Sequence, residues 1–264
     1  MDFCRSHIDH LLVNGKRLEI AWHGASPEDA PTLVFLHEGL GCLGLWGDFP
    51  SKLAAATGCG ALVYSRLGYG KSDASILPRP IRFMHEEALE VLPQLLEVAG
   101  IRDCILIGHS DGGSIAIIYA GGTNAPPLRG LITEAAHVFC EDIGLRSIRQ
   151  AREIYLKGDL RPKLEKHHGT NTDNAFWGWN DVWLHPDFRD WNIEEYLLAV
   201  KVPMLVIQGE DDHYGTPAPV EAISRQVPTL VDAVMVPDCG HAPHKEQEAV
   251  VSKVMTAYIS RLLG

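Results

Sequence analysis

The feature that most constrains this chain is a junction in its middle. Cys104-Ile105-Leu106-Ile107, four apolar residues in a row, breaks directly into Gly108-His109-Ser110-Asp111-Gly112-Gly113 and then into small and apolar residues from Ser114 to Ala120. The apolar run has the length of a strand buried on both faces, and the segment after the glycines reads as a helix. Strand, sharp turn and helix in that order are the unit of a parallel sheet. The glycines answer a crowding problem. A serine at the tip of so tight a turn takes strained backbone angles, and neighbours without side chains let strand and helix approach while the hydroxyl stays accessible. The helix points its N-terminal amides toward that hydroxyl, where negative charge develops in acyl transfer. The other reading of Gly108-x-Ser110-x-Gly112 is an idle serine in a glycine-rich turn; the flanking strand and helix favour a nucleophile.

The rest of the chain repeats the alternation, which predicts an α/β protein on a mostly parallel sheet. His7 to Val13 and Arg17 to Trp22 flank Asn14-Gly15, the residues of a type I′ turn, so the sheet is expected to open with an antiparallel hairpin. Thr32 to Leu36, Ala61 to Tyr64, Cys104 to Ile107, Gly130 to Thr133, Val202 to Gln208 and Ala233 to Val236 read as further strands. Trp46, Phe49 and Leu53 share a helix face, as do Val251, Val254, Tyr258 and Leu262; the helix expected from Met84 to Ala99 contains Pro93, where a kink is expected. The alternation lapses over 137–199. That stretch shows only helical periods and holds Trp177, Trp179, Trp183 and Trp191, four of the six tryptophans, with Phe176 and Phe188. It reads as a helical cap inserted into a core made of 1–136 and 200–264, its aromatics forming its own core, an apolar pocket wall, or both.

Composition narrows the function classes. A chain of 264 residues that is 46% apolar and 22% charged suits one large domain with an insertion. The net charge of −11, with no Lys/Arg cluster longer than two, argues against nucleic acid as a partner. Apolar runs are strand-sized, and Met1-Asp2-Phe3-Cys4-Arg5 precedes no apolar h-region, so neither membrane insertion nor secretion is signalled and a cytoplasmic location is expected. Cys4, Cys42, Cys59, Cys104, Cys140 and Cys239 form no C-x-x-C pair, which fits free thiols in a reducing compartment. Neither His167-His168 nor His241-x-x-His244 has metal-ligand spacing; no metal is expected, and His244 reads as a solvated residue.

A serine hydroxyl needs a base within hydrogen-bond reach and an acid to orient that base. Gly209-Glu210-Asp211-Asp212 follows one predicted strand and Asp238-Cys239-Gly240-His241 follows the next. Loops at the C-terminal ends of parallel strands open on one edge of the sheet, so Ser110, an acid and His241 can converge there.

These segments, together with Phe35-Leu36-His37-Glu38-Gly39-Leu40-Gly41 and Arg66-Leu67-Gly68-Tyr69-Gly70-Lys71-Ser72, resemble the α/β-hydrolase fold superfamily over essentially the full length of the chain. The resemblance implies eight strands with helices on both faces and a helical cap. Serine at position 110 is similar to hydrolases of esters, lactones, thioesters or C–C bonds, and differs from the epoxide hydrolases and haloalkane dehalogenases, which place Asp there. It implies Asp212 as the acid, with Asp211 beside it and Glu134 after the preceding strand as alternatives. It also implies two oxyanion donors, the N–H of Asp111 and that of Gly39, with Leu40 as fallback. Glu38 stands where relatives have glycine, putting a carboxylate near the site, turned inward onto substrate or outward into a structural bond. Under the cap, Glu38, Leu40, His137, Trp177 and Trp183 are the expected substrate-binding residues, whereas Arg66 is expected to brace backbone.

The resulting expectation is a cofactor-independent serine hydrolase of a small-molecule acyl compound. The alternatives are a C–C bond hydrolase of a diketone and, from another class, a catalytically silent module that binds a small ligand under the cap. A homodimer is compatible with the sequence, which carries nothing that reports oligomeric state.

Overall fold

The computed structural model describes residues 8–123 and 128–264; the predictions made for Met1 to His7, including Cys4, lie outside them. Strands β1 (Ile8–Val13) and β2 (Lys16–Gly24) form the antiparallel hairpin, with Asn14 and Gly15 both at positive φ as a type I′ turn requires. Then come β3 (Thr32–Leu36), helix α1 (Phe49–Thr57), β4 (Gly60–Tyr64), the short α2 (Phe83–Glu86), α3 (Leu92–Val98), β5 (Cys104–His109), α4 (Asp111–Gly122) and β6 (Leu128–Glu134). Helices α5 (Asp142–Lys157), α6 (Leu160–His168), α7 (Thr172–Trp183) and α8 (Glu194–Leu197) follow without a strand. The chain closes with β7 (Met204–Gly209), α9 (Ala218–Gln226), β8 (Val231–Val236), α10 (Pro243–Glu246) and α11 (Glu248–Leu263).

The eight strands lie in the order β1-β2-β4-β3-β5-β6-β7-β8; β2 pairs antiparallel with both β1 and β4, and every pairing from β4 to β8 is parallel. Alternation along the strands divides the core into two faces. Leu33, Phe35, Val63, Ile105, Ile107 and Ile207 pack on α1 and α11 through Phe49, Leu53, Met255 and Ile259. Val34, Leu36, Leu62, Leu106 and Val206 pack on α3, α4 and α9 through Leu92, Leu95, Ile115, Ile118 and Ile223. With both faces covered, the central strands are buried along their whole length, which is why they read as unbroken apolar runs.

The helix expected from Met84 to Ala99 is one rod in three pieces. Between α2 and α3, residues Glu87–Val91 form a turn of π-helix, and Pro93 sits in the first turn of α3. The widened turn accommodates a ring with no N–H to donate, so the expected kink is realised as an extra-residue turn upstream of the proline.

The helices α5 to α8 lie between β6 and β7 and join the α4 face of the core through one continuous apolar cluster. Their packing is aromatic: Tyr155 stacks on Phe176 at 3.6 Å, Phe188 stacks on Trp191 at 5.3 Å, and Trp183 tilts against Phe188 at 4.6 Å. Among the described residues no helix is long and apolar enough to cross a membrane, and no group of His, Cys, Asp or Glu is arranged to hold a metal ion.

Candidate active site

Ser110 sits between β5 and α4 at φ 52°, ψ −118°, a strained conformation for a residue with a side chain. Its amide donates to the Glu134 carbonyl at 2.8 Å, tying the turn to β6. A Cβ on Gly108 would come within 2.3 Å of the Gly112 carbonyl oxygen, and one on Gly112 within 2.0 Å of that of Leu36. Both obstacles are backbone, so glycine is obligatory at each position. Asp111 opens α4, and the N–H of a first helical residue has no acceptor within its own helix.

The loops after β7 and β8 bring two further groups to this point. His241 Nε2 lies 3.0 Å from Ser110 Oγ, and its Nδ1 lies 2.9 and 2.8 Å from the two oxygens of Asp212. Asp212 is fixed in turn by the Gln208 amide (2.6 Å) and the Tyr214 backbone N–H (2.8 Å). Burial pushes the Asp212 carboxyl up, but the His241 hydrogen bond and charge and the Tyr214 amide outweigh it and hold the group below its ordinary value. Burial lowers the His241 imidazole below its ordinary value although Asp212 pulls it upward. Such an array can take a proton from the serine hydroxyl and return it, with Nδ1–H held on the carboxylate.

Neither other carboxylate reaches His241. Asp211 is exposed, and its amide donates to the Cys239 carbonyl. Glu134 instead accepts from His244, through Nδ1 at 2.7 Å and the backbone N–H at 3.1 Å. That corrects the expectation of a solvated His244. It is only 2% exposed, lies against Trp46 at 4.5 Å, and completes a second buried carboxylate–imidazole pair.

The loop after β3 is braced from below. His37 Nδ1 donates to the Glu38 carbonyl at 2.7 Å, Arg66 Nη2 donates to the same oxygen at 2.9 Å, and the Arg66 backbone N–H donates to His37 Nε2 at 3.0 Å. Arg66, 2% exposed, therefore holds backbone. In a trans peptide the N–H opposes the carbonyl, so pinning the Glu38 carbonyl turns the Gly39 N–H to the opposite side. A Cβ on Gly39 would meet the Trp179 indole at 2.1 Å, so this glycine lets α7 close over the loop.

Glu38 turns its side chain toward the core loops: Oε2 lies 3.5 Å from His109 Nδ1 and Oε1 lies 3.8 Å from Lys245 Nζ. Burial opposes its charge, but His109 and Lys245 hold its carboxyl well below the usual range. Glu38 and Glu134 in turn raise the His109 imidazole against its burial. His109 Nε2 donates to the His241 carbonyl at 2.6 Å, so the Glu38–His109 pair links the β3 loop to the loop carrying His241.

These groups surround a cavity of about 100 Å³ lined by Glu38, Gly39, Leu40, Ser110, Asp111 and His137, with Trp179, Trp183 and His241. Trp177 is not in it. Its ring meets Tyr155 and Phe176 edge-on, under the Arg152 guanidinium. The reason is helical phase: Trp179 and Trp183 are four residues apart and share a face of α7, whereas Trp177 is six residues from Trp183. Trp179 takes the place expected of Trp177. Trp183 donates from Nε1 to Asp111 Oδ1 at 3.2 Å, and burial raises that carboxyl to about 6. Glu141, Gly144, Ile148 and Tyr214 complete the wall and were not foreseen. Tyr214, two residues after Asp212 and 4.7 Å from the His241 ring, was the one within reach of a local argument.

The model of the alpha/beta hydrolase family matches residues 33–254. RutD of Stutzerimonas stutzeri (strain A1501), named as a candidate carbamate hydrolase, is 38% identical over 96 residues, 36% of this chain and 34% of that protein; this chain thus matches about a third of its length. A proline iminopeptidase of Lactobacillus acidophilus is 26% identical over 228 residues, 72% of this chain and 76% of that one. The structure is similar to that of the enol-lactonase from Burkholderia xenovorans LB400, with a TM-score of 0.73 at 18% identity over 96% of this chain and 100% of the other, a likeness of fold. With the family model covering most of its length, the chain belongs to the alpha/beta hydrolase family.

Proposed function

We propose that this protein is a serine hydrolase that cleaves a small carboxylic ester, lactone or related acyl compound. The observation that carries the reading is the continuous line from Asp212 through His241 to Ser110 Oγ, ending on a residue held at positive φ in the turn between strand and helix. His241 Nε2 accepts the Ser110 proton as Oγ bonds to the substrate carbonyl carbon. Collapse of the tetrahedral species breaks the bond to the leaving oxygen, which takes that proton from His241, and an acyl-enzyme remains. Water then attacks the acyl carbon, gives a proton to His241, and releases the acid as Oγ recovers that proton. The N–H groups of Asp111 and Gly39 serve as donors to the oxyanion.

The pocket also limits the substrate. Glu38 and Glu141 line it and, among the described residues, no Lys or Arg does, so uncharged acyl groups are accepted in preference to those bearing a second carboxylate. Its small volume and indole walls favour a short or flat apolar group. The test is turnover of p-nitrophenyl esters of increasing acyl length by wild type and Ser110→Ala. Short esters turned over only by wild type are the expected result; turnover unaffected by the substitution would remove Ser110 from the reaction.

A further inference from the structure

Ser110 Oγ has a second imidazole beside it. His137, in the loop after β6, places Nε2 3.4 Å from Oγ, and its ring lies over that of His241 at 5.8 Å with an interplanar angle of 30°. Its position is fixed from two sides. The Ser114 hydroxyl in the first turn of α4 accepts from the His137 backbone N–H at 3.2 Å and donates to its carbonyl at 2.6 Å, and Trp183 meets the ring edge-on at 5.2 Å. Backbone hydrogen bonds and ring packing thus keep His137 beside the nucleophile, whereas His241 is oriented by the Asp212 carboxylate.

The tautomers follow from counting protons. Asp212 accepts from His241 Nδ1, which leaves His241 Nε2 bare to accept the one proton of the serine hydroxyl. Oγ then has only lone pairs to offer, so a hydrogen bond from His137 requires Nε2–H on that ring. We propose that His137 is a second catalytic histidine, a neutral donor to Ser110 Oγ that stabilises the charge this oxygen carries as its bond to the acyl carbon forms and later breaks. The inference rests on the serine-hydrolase reading. His241 carries the transferred proton in both half-reactions, and His137 keeps its own throughout. Burial and the neighbouring His241 push the His137 imidazole down to about 3, so it does not compete for that proton. A donor aimed at an oxygen that gains charge in the transition state is worth more there than in the ground state.

The test compares apolar and amide replacements in kinetics that separate acylation from deacylation, after fluorophosphonate labelling of wild type. His137→Phe keeps a ring against Trp183 and removes the N–H; kcat for p-nitrophenyl acetate is expected to fall about ten- to hundredfold with KM nearly unchanged. His137→Gln restores a donor and is expected to recover most of that loss. His137→Leu repeats the apolar comparison, and circular dichroism confirms which variants are folded. A labelled wild type with His137→Phe or His137→Leu at wild-type kcat overturns this proposal alone, as does His137→Gln falling as low as the apolar variants. A folded wild type that stays unlabelled at Ser110 overturns the serine-hydrolase reading and this proposal with it.

Discussion

At the edge of the sheet, Ser110, Asp212 and His241 are placed by backbone. The serine takes its angles from a turn that two glycines make possible, and Asp212 and His241 stand in the loops directly after β7 and β8. Across the same cavity, Trp179 and Trp183 are placed by side-chain packing, on a helix whose other aromatics fill the space between α5 and the core. The first kind of placement is written locally and tolerates no added atom; the second is spread over many contacts and can be redistributed among similar side chains. Substitutions on the two sides of one cavity are therefore expected to fail differently, the first in kcat and the second in KM and stability.

The sharpest separation comes from Asp212→Asn. Losing the carboxylate releases the His241 tautomer, and kcat should fall by roughly 10⁴-fold with the thermal midpoint little changed. A loss below tenfold in ester hydrolysis would assign the acid elsewhere. Gly39→Ala probes the contact between the two regions, since the added methyl meets the Trp179 indole. An order of magnitude or more in kcat should be lost, and Trp179→Leu should restore part of it; strictly additive effects in the double-mutant cycle would contradict the contact.

On the helical side, Trp183→Phe removes the hydrogen bond to Asp111 and part of the cavity wall. It should raise KM several-fold and lower stability by about 1–3 kcal/mol, whereas Trp177→Phe should change stability by about 0.5 kcal/mol or less and leave KM alone. Equal effects in denaturant melts and kinetics would erase the distinction drawn from helical phase. The smallest effect is electrostatic. On the proposed mechanism His241 must be neutral to act, and burial lowers its imidazole, so the acid limb of kcat/KM should lie below the ordinary value of 6.5. His109 adds to that lowering and is itself raised by Glu38, so Glu38→Gln should move the limb upward. A limb that moves downward in the pH profile would contradict the link.

What could be read in the sequence follows the same division. The Asn14-Gly15 hairpin, the Gly108 to Gly113 turn and the residues after the last two parallel strands are backbone signals carried by neighbouring positions, and each lies where its local pattern requires. The Glu134–His244 pair joins residues 110 positions apart and has no local signature; nothing near His244 in the chain indicates burial. The choice between Trp177 and Trp179 depends on the phase at which α7 meets the core, which is set by tertiary packing. The π-turn before Pro93 lies between these cases, since the proline signals a disturbance but not the form the neighbouring helices allow.

The most direct test of an activated serine is the intact mass of the folded protein after exposure to a fluorophosphonate, with the modified peptide sequenced. A single adduct on Ser110, slowed by Asp212→Asn and absent in Ser110→Ala, is the predicted result. No adduct on folded wild type, or one that persists in Ser110→Ala, would contradict the account.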